Sequence, residues 1–170
     1  MNSRVEDLEE EVEKLNEEKR TLADKVNEFE DKIDVYEQYS KKANIIVNGL
    51  PYSENENVRG KFFQLAEELR VELYDYDIGA IHRLPAREGK IPGIVVNLNC
   101  MDSKEALIRN SRREKLTLNG CPIFIDEHLT KKNADILRKA KQLVRKGVYD
   151  SAWYVNGKIW TRTEEDGSKK

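Results

Sequence analysis

Residues 4–39 read RVEDLEEEVEKLNEEKRTLADKVNEFEDKIDVYEQY, a stretch without Gly or Pro in which apolar residues return every seventh position. Val5 and Leu8, Val12 and Leu15, Lys19 and Leu22, Val26 and Phe29, and Ile33 and Tyr36 fill the a and d positions of five heptads, nine of the ten apolar or aromatic. About three to four sustained heptads suffice for a coiled coil, because the repeat keeps one narrow seam facing a partner helix. Most other positions are charged or carry amides, so a lone helix would hold that seam against water. Copies of the same helix are the simplest partners. Residues 1–40 are therefore expected to be a parallel coiled coil. Arg4, Val5, Leu8, Glu9, Val12, Leu15, Leu22, Val26, Phe29, Ile33 and Tyr36 would hold it together.

Parallel strands in register set Arg4 beside Glu9, Lys25 beside Glu30 and Lys32 beside Glu37, all attractive, and no such pair is repulsive. Val at a positions with Leu at d positions favours a dimer. The run Arg4-Val5-Glu6-Asp7-Leu8-Glu9 instead resembles a known trimerisation motif. A homotrimer is the first expectation, a homodimer the second, and a helix folded back on the remainder of the chain the third. Lys19, at an a position, costs stability while helping to fix register.

Beyond the heptads the charge reverses. Residues 1–38 carry 6 Lys or Arg against 14 Asp or Glu, a net of −8, whereas residues 39–170 carry 24 against 18, a net of +6. An acidic rod joined to a basic body points to an anionic partner at the body. No run approaches the ~18 apolar residues of a membrane helix, and the N-terminus lacks the apolar core of a signal peptide, so the chain reads as intracellular with no membrane contact. Cys100, Cys121, His82 and His128 are scattered without ligand spacing. Two buried, reduced thiols are expected, with no metal and no cofactor. No nucleophile with a base, paired acids or phosphate-cradling loop stands out, so no enzyme is expected.

Next to the rod, Lys41 and Lys42 mark a hinge, and residues 45–50 form a strand closed by Pro51. A polar loop, 53–57, leads to a helix with Val58, Phe62, Leu65, Ala66 and Leu69 on one face. Residues 78–81 and 94–98 make two more strands, joined by a loop at 85–89. Asp102-Ser103-Lys104-Glu105 has the form of a capping box opening a helix to about Arg112, with Ala106, Leu107 and Ile108 inward. Leu116-Thr117-Leu118, the turn Asn119-Gly120 and Pro122-Ile123-Phe124-Ile125 then read as a hairpin. The order strand, helix, strand, strand, helix, strand is the α+β ferredoxin-like plan shared by the RNA-recognition motif. Residues 43–127 are assigned to it. Its usual stacking aromatics on the first and third strands are missing, since Ile46, Ile94 and Asn97 stand there.

Residues 128–170 are assigned to a small basic domain ending in a polar tail. Thr130 caps a helix from 131 to about 146 that Gly147 ends. Ile136, Leu137, Ala140, Leu143 and Val144 project to one side, and Lys131, Arg138, Lys141 and Arg145 to the other, flanked by Lys132, Lys139 and Lys146. A second Asn-Gly hairpin, centred on Asn156, follows. Alternation groups Trp153, Val155, Ile159 and Thr161 against Tyr154, Lys158, Trp160 and Arg162, and which face is core stays open. Cations beside aromatic strands suit single-strand binding, where phosphates are neutralised and bases stack. Arg109, Arg112, Arg113 and Lys115 add a second cationic cluster. The nucleic-acid candidates are thus Lys41, Lys42, Arg109, Arg112, Arg113, Lys115, Lys131, Lys132, Arg138, Lys141, Arg145, Trp153, Tyr154 and Trp160.

The run Tyr39-Ser40-Lys41-Lys42-Ala43-Asn44-Ile45-Ile46-Val47-Asn48-Gly49-Leu50-Pro51, followed by Ile81-His82-Arg83-Leu84, resembles the first-open-reading-frame proteins of LINE-type retrotransposons. So do Leu129-Thr130-Lys131-Lys132-Asn133, Trp153 and Asn156-Gly157-Lys158-Ile159, and the last third is similar to the baculovirus few-polyhedra (FP) protein C-terminal domain. The resemblance implies a trimeric single-stranded RNA-binding protein that packages retrotransposon RNA and acts as a nucleic-acid chaperone. It adds Arg83 to the candidates and implies that Arg112, Arg113 and Arg138 grip the strand between the two globular parts. Departures are the short C-terminal part and the absence of zinc knuckles. Single-stranded DNA is a second candidate ligand, and the expected setting is a cytoplasmic ribonucleoprotein with nuclear entry open. The competing reading is a coiled-coil adaptor whose basic body docks an acidic protein.

Overall fold

Helix α1 (Asn2–Ser40) opens the computed structural model, which describes residues 2–85, 88–155 and 157–163, and runs 39 residues without interruption. Its heptad seam, from Val5 and Leu8 to Ile33 and Tyr36, is exposed along its whole length in the single chain. Among the described residues no helix is long and apolar enough to cross a membrane. The chain divides into two compact units, residues 1–39 and residues 40–170. The sheet and the C-terminal helix with its hairpin, which the sequence divides at residues 127 and 128, thus fall in one unit.

Within that unit β1 (Asn44–Asn48), α2 (Val58–Glu68), β2 (Ile78–Arg83), β3 (Ile94–Leu98) and α3 (Met101–Glu114) follow in the expected order. A two-residue pair comes next, β4 (Thr117–Leu118) with β5 (Cys121–Pro122), and then β6 (Phe124–Glu127). The antiparallel sheet has the order β2-β3-β1-β6, as two split strand-helix-strand units require. Alternation along the strands sends Ile45, Val47, Ile94, Val96, Leu98 and Ile125 to one face, where Phe62, Leu65 and Leu69 from the α2 segment and Leu107 and Ile108 from α3 cover them. Burying each such side chain contributes about 2 kcal/mol.

Several local readings change. The hairpin at Asn119-Gly120 does not carry the fourth sheet strand; it closes on Thr117 and Pro122, and the chain pairs anew with β1 only from Phe124. Gly49 explains why it stays close, because at φ +88 an added Cβ would lie 2.1 Å from the Pro122 carbonyl oxygen. Helix α3 starts at Met101 with Cys100 as its N-cap and no side-chain cap bond, so the Asp102 to Glu105 run is no capping box. Lys104 turns inward instead, its side chain only 4% exposed; its Nζ donates to the Lys42 carbonyl at 2.5 Å and to Glu127. Both cysteines are free and partly exposed rather than buried. Hydrogen bonds from Ser103, side chain before backbone, hold the Cys100 thiol below its ordinary range.

Helix α4 (Lys131–Arg145) begins where Thr130 Oγ1 accepts from the Asn133 amide at 3.2 Å. It ends on Gly147 at φ +76, where the Val148 amide reaches back to the Leu143 carbonyl at 3.0 Å, a Schellman closure. Of its apolar side Ala140 is buried, while Ile136 and Leu143 remain largely exposed. Strands β7 (Ser151–Val155) and β8 (Lys158–Arg162) pair Trp153 with Trp160 and Tyr154 with Ile159. That register corrects the expected grouping of Trp153 with Ile159, since a two-residue loop sets Val155 opposite Lys158 and reverses the parity. Tyr154 is buried on the core face, and Trp153 and Trp160 lie on the other. Asn156, residues 86 and 87 of the expected loop and the polar tail 164–170 lie outside the described residues.

Candidate nucleic-acid interface

The sheet face turned away from α2 and α3 carries Asn44, Ile46 and Asn48 of β1, Val95 and Asn97 of β3, His82 of β2, and Phe124 and Asp126 of β6. Asn97 Nδ2 donates to Asn44 Oδ1 at 2.7 Å, and the Asn44 amide meets His128 Nδ1 at 3.3 Å. Strands β1 and β3 present no aromatic ring, as the sequence indicates, so this face offers amides and aliphatic carbons at its centre.

A cleft of ≈ 740 Å³ separates part of that face from α4 and β7. Ile46, Asn48 and Asp126 form one wall, and Leu137, Arg138, Lys141 and Arg145 the other. Spacings of three and four residues place those three cations on one side of the helix. Arg112 of α3 joins them, and Trp153, 36% exposed, stands at the β7 side. Two carboxylates are present: Glu127, engaged by Lys104, and Asp126, 3.8 Å from Arg112. Arg138 is held by Asp135 at 2.8 Å. Both arginines remain more than half exposed, and such solvated pairs contribute under about 1 kcal/mol, so an incoming phosphate can displace them.

Of the sequence candidates, Arg112, Arg138, Lys141, Arg145 and Trp153 come together here, and Tyr154 reaches the cleft from the core without offering an open ring face. Arg109, Arg113, Lys115, Lys131 and Lys132 are exposed but outside its lining. Arg113 pairs with its neighbour Glu114 at 3.1 Å. Lys41 and Lys42 lie in the turn between α1 and β1, outside the lining. Trp160, 51% exposed, lies opposite Trp153 on the outer hairpin face, between Lys158 and Arg162 on its own strand.

Arg83 is removed from the set. Its side chain is 11% exposed and bonded to both Glu56 oxygens, one at 2.9 Å, and to the carbonyls of Leu50, Pro51 and Pro92 at 2.9, 2.7 and 2.7 Å. Every face of the guanidinium that could hold a phosphate is taken up in joining the loop after β1 to β2. The sheet contribution of Ile46, Asn48 and Asp126 to the cleft was not singled out in the sequence, although alternation against the inward Ile45 and Val47 marks the first two as outward.

No protein-family model and no curated protein is similar to the chain. Among solved structures, one described as the RNA15 RRM covers 56% of this chain and 97% of its own at 11% identity, with a TM-score of 0.37. Another, described as the Rna15 RRM with bound RNA (GU), covers 59% and 98% at 8% identity, also with a TM-score of 0.37.

Proposed function

We propose that residues 40–170 bind single-stranded RNA along the cleft, with α1 joining copies of the chain, a trimer first, so that several such sites act on one strand. The observation that carries this reading is the convergence of Arg112, Arg138, Lys141 and Arg145, from two helices, on one cleft beside an accessible Trp153. Guanidinium and ammonium groups neutralise phosphates without reading sequence, and the indole supplies a stacking surface. Individually weak sites linked on a rod gain affinity through effective concentration and still exchange one by one, which is the behaviour of a packaging protein and nucleic-acid chaperone. The resemblance to LINE-type first-open-reading-frame proteins agrees with this division of labour, and the role is binding rather than catalysis.

Fluorescence anisotropy with unstructured RNA across a salt series tests it. Affinity should fall steeply as salt rises, and Arg138→Ala with Lys141→Ala should lower it at least about tenfold and reduce the salt slope by about 1.4, two phosphate contacts' worth for a single strand. Oligomer mass and thermal midpoint should not change. Binding indifferent to salt, or no binding at low salt, would leave the adaptor reading, in which no nucleic acid co-purifies after a high-salt wash.

A further inference from the structure

Beside the cleft, between the end of α3, the β4–β5 hairpin and the edge strand β6, runs a second groove of ≈ 420 Å³. Leu116, Pro122, Ile123 and Phe124 give it apolar walls, and Arg112 and Lys115 stand at its rim. Phe124 is 54% exposed, on the outer sheet face, directly opposite Asn48 of the cleft wall. Arg112 and Asp126 belong to both hollows, so the two are continuous across that loose ion pair.

Two contacts fix the walls of the groove. The close approach at Gly49 pins the Pro122 backbone against the end of β1, and Ser111 Oγ accepts from the Ile125 amide at 3.3 Å, tying α3 to the sheet edge. Lys115, which caps α3, sits at φ +48, a left-handed position where glycine is the easy residue and any other side chain costs about 1 kcal/mol.

Resting on the strand-binding reading above, we infer that this groove is a nucleobase subsite, in which one base of the strand stacks on Phe124 while Arg112 and Lys115 hold the phosphates on either side of it. The chemistry matches: an open ring face and aliphatic walls accept any base through its π-face, and cations at the rim take the charge that an apolar groove would otherwise exclude. The stacking platform thus lies on the edge strand, in place of the missing rings of β1 and β3. Recognition there is tolerant of base identity.

The full chain is titrated with oligouridylate of about 12 nucleotides and with a strand of equal length and charge whose sugars carry no bases. The wild type should prefer the base-bearing strand. Phe124→Leu, which keeps an apolar side chain and removes the ring, should lose about tenfold on oligouridylate and little on the abasic strand, with the salt slope unchanged, and Phe124→Tyr should restore the preference. Equal affinity of the wild type for both strands, or Phe124→Leu behaving as wild type, overturns the subsite and leaves the cleft standing. Loss of equal size on both strands also overturns it, because that pattern reports damage to phosphate binding. Wild type that binds neither strand at low salt overturns the strand-binding reading itself.

Discussion

Five hydrogen bonds occupy the guanidinium of Arg83, two of them to Glu56, which also accepts from Lys61 Nζ at 2.6 Å. Chiefly through the Arg83 hydrogen bonds, opposed by burial and helped by Lys61, the Glu56 carboxyl falls from 4.5 to about 2. A depressed carboxylate stabilises the fold above its unfolded value and loses that contribution as pH falls from about 4.5 through 2. Acid unfolding followed by circular dichroism should therefore show a limb in that window which Glu56→Gln flattens. Arg83→Ala strands Glu56 with one partner and should destabilise by about 3 kcal/mol in urea, while the salt slope for RNA stays as in the wild type. In the sequence this arginine is one cation among 24 Lys and Arg in residues 39–170, and nothing local to it names a glutamate 27 positions upstream. Lys104 misleads for the same reason: Asp102 to Glu105 reads as a cap, and only the direction of α3 across the sheet shows that its amine points inward.

At the scale of elements, periodicity carried nearly everything that a single strand or helix can state about itself. The run of Ile94–Leu98 and the α2 face of Phe62, Leu65 and Ala66 are buried as their spacing requires. What was misread depends on how two elements meet. Asn119-Gly120 makes a true turn, but a two-residue pair satisfies it, and the Pro122 contact with Gly49 restarts the strand at Phe124. The Trp153–Trp160 pairing was misread, although a two-residue loop leaves one parity available, whereas the inward choice of Tyr154 depends on α4 lying beside it. Thr130 is fully buried at the N-terminus of α4, where its hydroxyl caps the helix. Thr130→Ala should cost about 1–2 kcal/mol by urea denaturation and Thr130→Ser much less, because serine keeps the oxygen that the Asn133 amide needs.

For the whole molecule, the heptads marked the long helix, and the reversal of charge after it marked the remainder as a basic body of different character. Neither could place the basic helix beside the sheet, because a cleft lined by residues of β1, β6, α4 and β7 exists only in the folded chain. With the α1 seam exposed, Leu15→Asp with Leu22→Asp should reduce the mass by light scattering to that of a single chain. The denaturation midpoint of residues 40–170 should be unaffected, and RNA affinity should fall through lost multivalency alone. Lys104 has a consequence for the body as a whole. Its amine is sealed between the Lys42 carbonyl and Glu127, whereas Lys131, Lys139 and Lys141 stand in solvent. A lysine-acylating reagent should label those three within its intrinsic reaction time and reach Lys104 only when α3 lifts from β6, so the labelling rate of that one amine becomes a clock for the opening of the body.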